Sequence, residues 1–309
     1  MMILSRRYGQ LGNRLILYSN LIAAARHYRI ELRNPSFAEY ASLFPSTRED
    51  LWCRYDAHLK PSPNHRPSRR PPSRRRRNAL MHVMQAVAKS MNAIGMRHYP
   101  AKVIRLGAGE ICDLEGDRFR SAVESGRTLL LQGWLFRSPR LLEQHWPHIR
   151  DFFTVSKTDR DVIDQRIRQA RRDSDVLVGV HIRRGDYANY RGGQYYYDDA
   201  LYSRWMHSVC DQLPGQRVRF LVCSNEPLDE SAFTGLNITH GPGTALRDMY
   251  ALADTDWMMG PPSTFTGWAE MVGRRPRIEL QSRQQSVVVP PSVVSQSLAF
   301  QPNAEQVAA

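Results

Sequence analysis

Cysteine is scarce in this chain and poorly placed for staples or metals. The 309 residues hold four, Cys53, Cys112, Cys210 and Cys223. None forms a CxxC pair, and none sits at metal-ligand spacing with histidine. A chain of this length buries a core without disulfides, so reduced thiols in a reducing compartment are expected. Long apolar runs are missing as well. No stretch approaches the ~20 apolar residues that cross a bilayer. The amino-terminal Met1-Met2-Ile3-Leu4-Ser5-Arg6-Arg7 lacks the apolar core of a signal peptide, so none is expected. There is no internal repeat, and no GxGxxG spacing to support a Rossmann dinucleotide site.

Acidic residues are missing from one segment. Between Lys60 and Arg77 lie eight basic residues (Lys60, Arg66, Arg69, Arg70, Arg74, Arg75, Arg76, Arg77) and no acidic one. Without them the formal charge of +13 falls to +5. The basic character therefore belongs largely to one segment rather than to the fold. Five prolines (61, 63, 67, 71 and 72) share that segment. They remove donors and fix φ, so residues 60–77 are expected to be neither helix nor strand but a disordered insertion. Such a segment is a solvated loop, a phosphate-contacting nucleic-acid arm or a contact to an anionic membrane. It lacks the interleaved aromatics that stack on bases, so nucleic acid is the poorer partner. The expected location is cytoplasmic, with peripheral contact to the inner face of a membrane through this segment.

At 42% hydrophobic and 24% charged residues the rest is ordinary globular protein. By the prior of about 150 residues per domain it forms two domains or one large one. Residues 3–7 read as a short strand, 9–13 as a glycine turn and 13–28 as a helix. Helical spacing returns over 79–96. Residues 128–133 read as a buried strand, and a helix starts on Pro139 and runs to Ile149. An amphipathic helix then ends in Arg171-Arg172. The second half alternates: strands at 176–182, 217–223, near Ile238, at 256–259 and at 276–280. Helices are expected over 198–213 and 245–254, from Ser263 through Met271, and starting at Ser224-Asn225-Glu226-Pro227. This alternation implies α/β architecture with a parallel sheet and right-handed crossovers. The boundaries drawn are 1–155, 156–283 and a tail, 284–309, extended or loosely packed.

The chemistry concentrates at Val178-Gly179-Val180-His181-Ile182-Arg183-Arg184-Gly185-Asp186-Tyr187. A buried strand ends there in two arginines. Ligands of open α/β sheets bind at the carboxyl ends of strands, and guanidinium offers bidentate donors for phosphate. Alternation along the strand lets only one arginine share a face with His181, and that is Arg183. His181 is either a core residue or a ligand contact. Asp186 orients an arginine, acts on substrate, or is a turn residue after Gly185. Gly9-Gln10-Leu11-Gly12-Asn13 is a plain turn or an anion-binding loop at a helix start. Pro262-Ser263-Thr264-Phe265-Thr266 is an N-cap or a phosphate loop. Asp248, near the start of a helix, complements the helix dipole or accepts the N1–H and N2–H₂ edge of guanine. Asp254-Thr255-Asp256 has the letters of a metal motif but leads into a strand start, so no metal is expected.

Together these blocks resemble the α-1,2-fucosyltransferases and their α-1,6- and protein O-fucosyltransferase relatives. His181-Ile182-Arg183-Arg184-Gly185-Asp186-Tyr187 is similar to the family signature, and residues 9–13 to its amino-terminal Gly-x-Leu-Gly-Asn loop. Asp248-Met249-Tyr250 with Pro262-Ser263-Thr264-Phe265-Thr266-Gly267-Trp268 is similar to its third block. The loop departs by reading Asn13-Arg14 where the family has Asn-Gln, and the third block lacks the usual Ser-Ser-Phe-Ser-Trp-Trp. The resemblance implies a GT-B-like arrangement, two Rossmann-like domains facing across a cleft, with the acceptor on the amino-terminal side. It implies a GDP-fucose donor, a glycan acceptor, and inversion without metal or cofactor. By position, Arg183 matches the arginine on the β-phosphate, His181 and Arg184 its neighbours, and Asp248 the guanine-reading carboxylate. Ser263, Thr264 and Phe265 match the phosphate-side loop, and Asn13, with Gly12 beside it, the asparagine that approaches the donor. The catalytic residues expected are Arg183 and Asp186. The competing readings are a GT-B transferase with another nucleotide sugar, and a non-catalytic anion- or nucleic-acid-binding protein.

Overall fold

An apolar run buried on both faces belongs inside a parallel sheet flanked by helices. Two such runs, Thr128–Gln132 and Val176–Ile182, each anchor one. The computed structural model describes residues 1–56, 71–95 and 101–292. The chain divides into two units, Met1–Ser156 and Lys157–Ala309.

The first unit contains β1 (Met2–Leu4), α1 (Leu11–His27), β2 (Leu32–Arg33), the short α2 (Pro45–Arg48), β3 (Arg54–Tyr55), α3 (Arg74–Ala93) and β4 (Ala101–Arg105). After these come β5 (Cys112–Asp113), α4 (Asp117–Glu124), β6 (Thr128–Gln132), β7 (Phe136–Arg137), α5 (Pro139–Gln144) and α6 (Trp146–Phe152). The five-stranded sheet has the order β3-β2-β1-β6-β4. Its pairs are parallel except β2 with β3. Helix α1 is buried on almost every side, and Tyr18 within it donates its hydroxyl to the Cys53 carbonyl. Aromatic edges of Phe37, Phe152 and Phe153 pack on the Tyr18 ring.

Two expectations for this unit are corrected. The helix expected from Pro139 to Ile149 is two helices, with Trp146-Pro147 opening the second at a new first turn. The basic insertion is ordered over its last part. Helix α3 begins at Arg74, inside the 60–77 segment, while residues 57–70 lie outside the described residues. The cause is Arg77, which is buried. Its guanidinium donates to the carbonyls of Thr47 (3.2 Å), Arg48 and Asp50. A sequence shows a run of like charges but not the distant carbonyls that bind one of them.

The second unit contains α7 (Lys157–Arg171), β8 (Val176–Ile182), α8 (Asp199–Asp211), β9 (Val218–Ser224), β10 (Ile238–His240), α9 (Ala245–Ala253), β11 (Trp257–Gly260), α10 (Thr264–Gly273) and β12 (Arg277–Glu279). Its sheet, in the order β10-β9-β8-β11-β12, is parallel throughout. The strands expected from residue 176 onward are found, and the parallel sheet with them. Strand β8 is fully buried, and its two faces serve different helices. Val178, Val180 and Ile182 join Tyr202, Trp205, Met206 and Val209 of α8 in one core. Gly179 faces α9 instead, with no room for a Cβ. That atom would stand 2.8 Å from Leu252 Cδ2 and 2.9 Å from Thr255 Oγ1.

Two expectations change here too. Ser224-Asn225-Glu226-Pro227 opens no α-helix. The chain turns there, with the Ser224 hydroxyl accepting the Glu226 N–H (3.2 Å), and forms only a short 3₁₀ turn at Glu230–Phe233. The segment after Arg283 is extended but not loose. Val287 and Val289 are buried in the α8 core, Gln212 bonds both backbones, and Trp205 Nε1–H donates to the Gln285 carbonyl (2.8 Å). Residues 293–309 lie outside the described residues. Truncating both valines to alanine removes buried methyls worth about 0.8 kcal/mol each, plus a cavity term. The double variant is expected to lose roughly 3–5 kcal/mol and roughly 10 °C in Tm. A melting curve unchanged from wild type would show that this segment stands outside the core.

Candidate active site

The alternation of β8 continues past its last residue and sorts the charged side chains. His181 and Arg183 follow the odd-numbered face of Gly179, and Arg184 the even-numbered face toward α8. His181 is 4% exposed and stacks on Phe265, ring centroids 4.7 Å apart and 19° from parallel. Burial, with the Arg183 charge beside it, pushes its imidazole down to about 3, so it is neutral. Nδ1 has no hydrogen-bond partner among the described residues. Gly260 at the end of β11 makes this packing possible, because a Cβ there would stand 2.8 Å from the His181 carbonyl oxygen.

Arg183 lies at the carboxyl end of the sheet with its side chain 17% exposed. Asp186 holds the guanidinium at 2.7 Å, and the Tyr187 ring lies under it with the centroid 5.4 Å from Cζ. Tyr187 in turn donates its hydroxyl to the Pro262 carbonyl (2.7 Å), which fastens the loop to the turn ahead of α10. That turn is the Pro262-Ser263-Thr264-Phe265 block. Ser263 caps α10 by accepting the Phe265 N–H (3.1 Å), and Thr266 Oγ1 donates to the Ser263 carbonyl (3.1 Å). His181, Arg183, Asp186, Ser263 and Phe265 are thus joined through direct contacts, with Thr264 in the same turn.

The structure separates Arg184 from this group. Its guanidinium is buried, donates to the Tyr197 carbonyl and the Asp199 carboxylate, and lies over the Tyr196 ring. Expected beside the donor, the side chain is a strut tying the loop to the start of α8. The backbone N–H of Arg184 donates to Asn225 Oδ1 (2.8 Å) at the end of β9. Gly185 follows at φ +59°, a conformation that strains a side chain.

Asp248 is reached one strand over. His181 pairs with Cys223 on β9, and the buried Cys223 thiol lies 3.9 Å from the Asp248 carbonyl oxygen. The Asp248 carboxylate, in the first turn of α9, accepts the Gly243 N–H at 2.7 Å. Gly241 leaves room for it, since a Cβ there would stand 2.7 Å from Oδ1. Burial pushes this carboxyl up to about 6, against the Gly243 hydrogen bond, which lowers it.

Gly12 and Asn13 belong to the first unit, in the first turn of α1. Gly9 has φ +57°, and a Cβ on it would collide with the folded-back Asn13 amide. Arg14 follows Asn13 in that turn. It is buried and binds the Gly9 carbonyl (3.1 Å), the Ser36 carbonyl (3.0 Å) and Glu39 (3.1 Å), clamping the loop. Asp254 and Asp256 sit at the opposite, amino-terminal end of the second sheet. Arg160 pairs with Asp254, and Arg171 with Asp256 at 2.8 Å. Asp256 also accepts the Leu177 N–H (2.8 Å).

Residues 137–287 match the model of the family described as glycosyl transferase family 11. The matched stretch is just under half of the chain. It includes the central block, Asp248 and the Ser263 turn. No curated protein matches the chain. Among solved structures, a mutant of FUT1 from Arabidopsis thaliana in complex with GDP is 13% identical, at a TM-score of 0.54, over 91% of this chain and 72% of that one. That likeness shows the fold. The fucosyltransferase NodZ from Bradyrhizobium is 17% identical over 90% of this chain and 94% of that one, at a TM-score of 0.48.

Four residues of the candidate site carry no role that a motif marks in the sequence: Tyr187, Asn225, Gly241 and Gly243. Position alone flags Asn225, since it follows a strand end beside the central strand. The titration of Asp248 gives a test. Its folded value, about 6, lies above the 3.8 of a free side chain, so the folded state binds this proton more tightly. Ionisation therefore costs stability above pH 6, and the cost fades as pH falls toward 4. His181 works in reverse, taking stability away as pH falls from 6.5 toward 3. Asp248→Asn is expected to be about 2–3 kcal/mol more stable than wild type at pH 8 and equal to it at pH 4. Denaturant titrations at both pH values check this; equal stability at pH 8 would contradict the burial argument.

Proposed function

We propose that this protein transfers fucose from GDP-fucose to a hydroxyl of a glycan, with inversion, without a metal ion and in α-1,2 linkage. One observation carries the reading. Of Arg183 and Arg184, Arg183 follows the His181 face; it emerges at the sheet's carboxyl edge beside the Ser263 turn, held by a half-exposed carboxylate that a phosphate can replace. Breaking a glycosyl–phosphate bond puts negative charge on the departing diphosphate. A cation fixed there before the reaction stabilises that charge without reorganisation. Asp186 is the positioning residue. It holds the guanidinium aligned until the diphosphate takes its place. The positive end of α10 adds to the same field.

Asp248 favours guanine over other bases, because a carboxylate pairs with the N1–H and N2–H₂ edge that uracil and adenine lack. The FUT1 relative in fold was captured with GDP, which supports the same donor. His181, neutral and stacked, contributes a hydrogen-bonding surface rather than charge. The Asp254-Thr255-Asp256 carboxylates are taken up by Arg160 and Arg171, so the diphosphate relies on Arg183.

GDP is expected to raise Tm where UDP and ADP do not, by about 2.7 kcal/mol of stabilisation at a hundredfold excess over Kd. Incubation with GDP-fucose and a glycan panel then identifies the product and its linkage. Arg183→Ala is expected to lower kcat by roughly 10²–10³ with an unchanged melting curve. Near-normal transfer by that variant removes Arg183 from the mechanism, and stabilisation by UDP or ADP alone replaces the donor.

A further inference from the structure

No acidic residue stands between Asp56 and Glu110, whereas Lys and Arg occupy twelve of the positions between them. Those twelve account for all but one of the chain's net positive charges. Helix α3 lies in this stretch. One flank is fixed to the first unit through the buried Arg77, Met81, Ala88 and Met91. Another flank carries branched aliphatics into solvent: Val83 at 57% exposure, Val87 at 43% and, just past the helix end, Ile94 at 66%. Separations of four and seven residues align these three along one line of the helix. They are half of the six large hydrophobic residues exposed among the described residues. Arg75, Arg76 and Lys89 are exposed on the same helix.

Charge alone suits any polyanion, so the aliphatic line decides the occupant. Nucleic acid offers phosphates and stackable bases, and branched aliphatics gain nothing from either. A bilayer interface takes both features at once, with aliphatic side chains at the acyl boundary and cations among anionic headgroups. We infer that α3 docks the protein on an anionic lipid surface, with Val83, Val87 and Ile94 inserted and Arg75, Arg76 and Lys89 at the headgroups. The inference is independent of the donor-site reading.

The test is co-sedimentation of the full chain with vesicles of phosphatidylcholine alone and of phosphatidylcholine with phosphatidylglycerol. The chain is expected to partition to the anionic vesicles only. Val83→Ser/Val87→Ser/Ile94→Ser adds no charge and is expected to weaken partitioning about tenfold while circular dichroism and Tm stay unchanged. Arg75→Glu/Arg76→Glu is expected to weaken it comparably. The inference is overturned if the triple serine variant binds anionic vesicles as tightly as wild type. It is equally overturned if wild type binds neither vesicle, or binds RNA in preference to both.

Discussion

The geometry of the candidate site depends on the two-residue period of one buried strand. Val178, Val180 and Ile182 commit β8 to the α8 core, so the register cannot slip without turning those side chains outward. The same period then fixes everything beyond the strand. His181 and Arg183 go to one face and Arg184 to the other. His181 is locked by its stack on Phe265, which brings the start of α10 against the strand exit. The loop that follows is pinned three times, at Asn225, at Pro262 and at the start of α8. Of the two arginines, Arg183 is left on the His181 face, paired with Asp186.

Arginine serves two purposes in this protein. Arg14, Arg77 and Arg184 are buried and hold backbone carbonyls of other segments. Arg160 and Arg171 brace the far end of the second sheet. Planar, multidentate donors suit such bracing, because one side chain satisfies several carbonyls at once. Arg183 differs in having a carboxylate partner half open to solvent, an arrangement a phosphate can enter.

Much of the second unit was legible in the sequence. Unbroken apolar runs at 176–182 and 217–223, separated by helical spacing, left little choice but parallel strands. The candidate residues were legible because they follow strand ends. What sequence did not show were partners far along the chain. Arg77 read as part of a solvated basic run and Arg184 as a neighbour of the donor, whereas the Thr47, Arg48 and Asp50 carbonyls that hold Arg77 lie 27 to 30 residues away and the Tyr197 carbonyl that holds Arg184 lies 13 away. Val287 and Val289 are too short a pattern to read in a serine- and glutamine-rich tail, and the α8 core that buries them is distant in the chain. Pro227 read as a helix start, but local bonding at Ser224 turns the chain first. Two-residue strands such as β2 and β3 carry too little pattern to be seen.

A crystal structure of the protein with GDP tests the central claim most directly. The β-phosphate is expected on the Arg183 guanidinium, with Asp186 displaced from it and the guanine edge on Asp248. A diphosphate bound away from Arg183, with the Arg183–Asp186 pair intact, would contradict it.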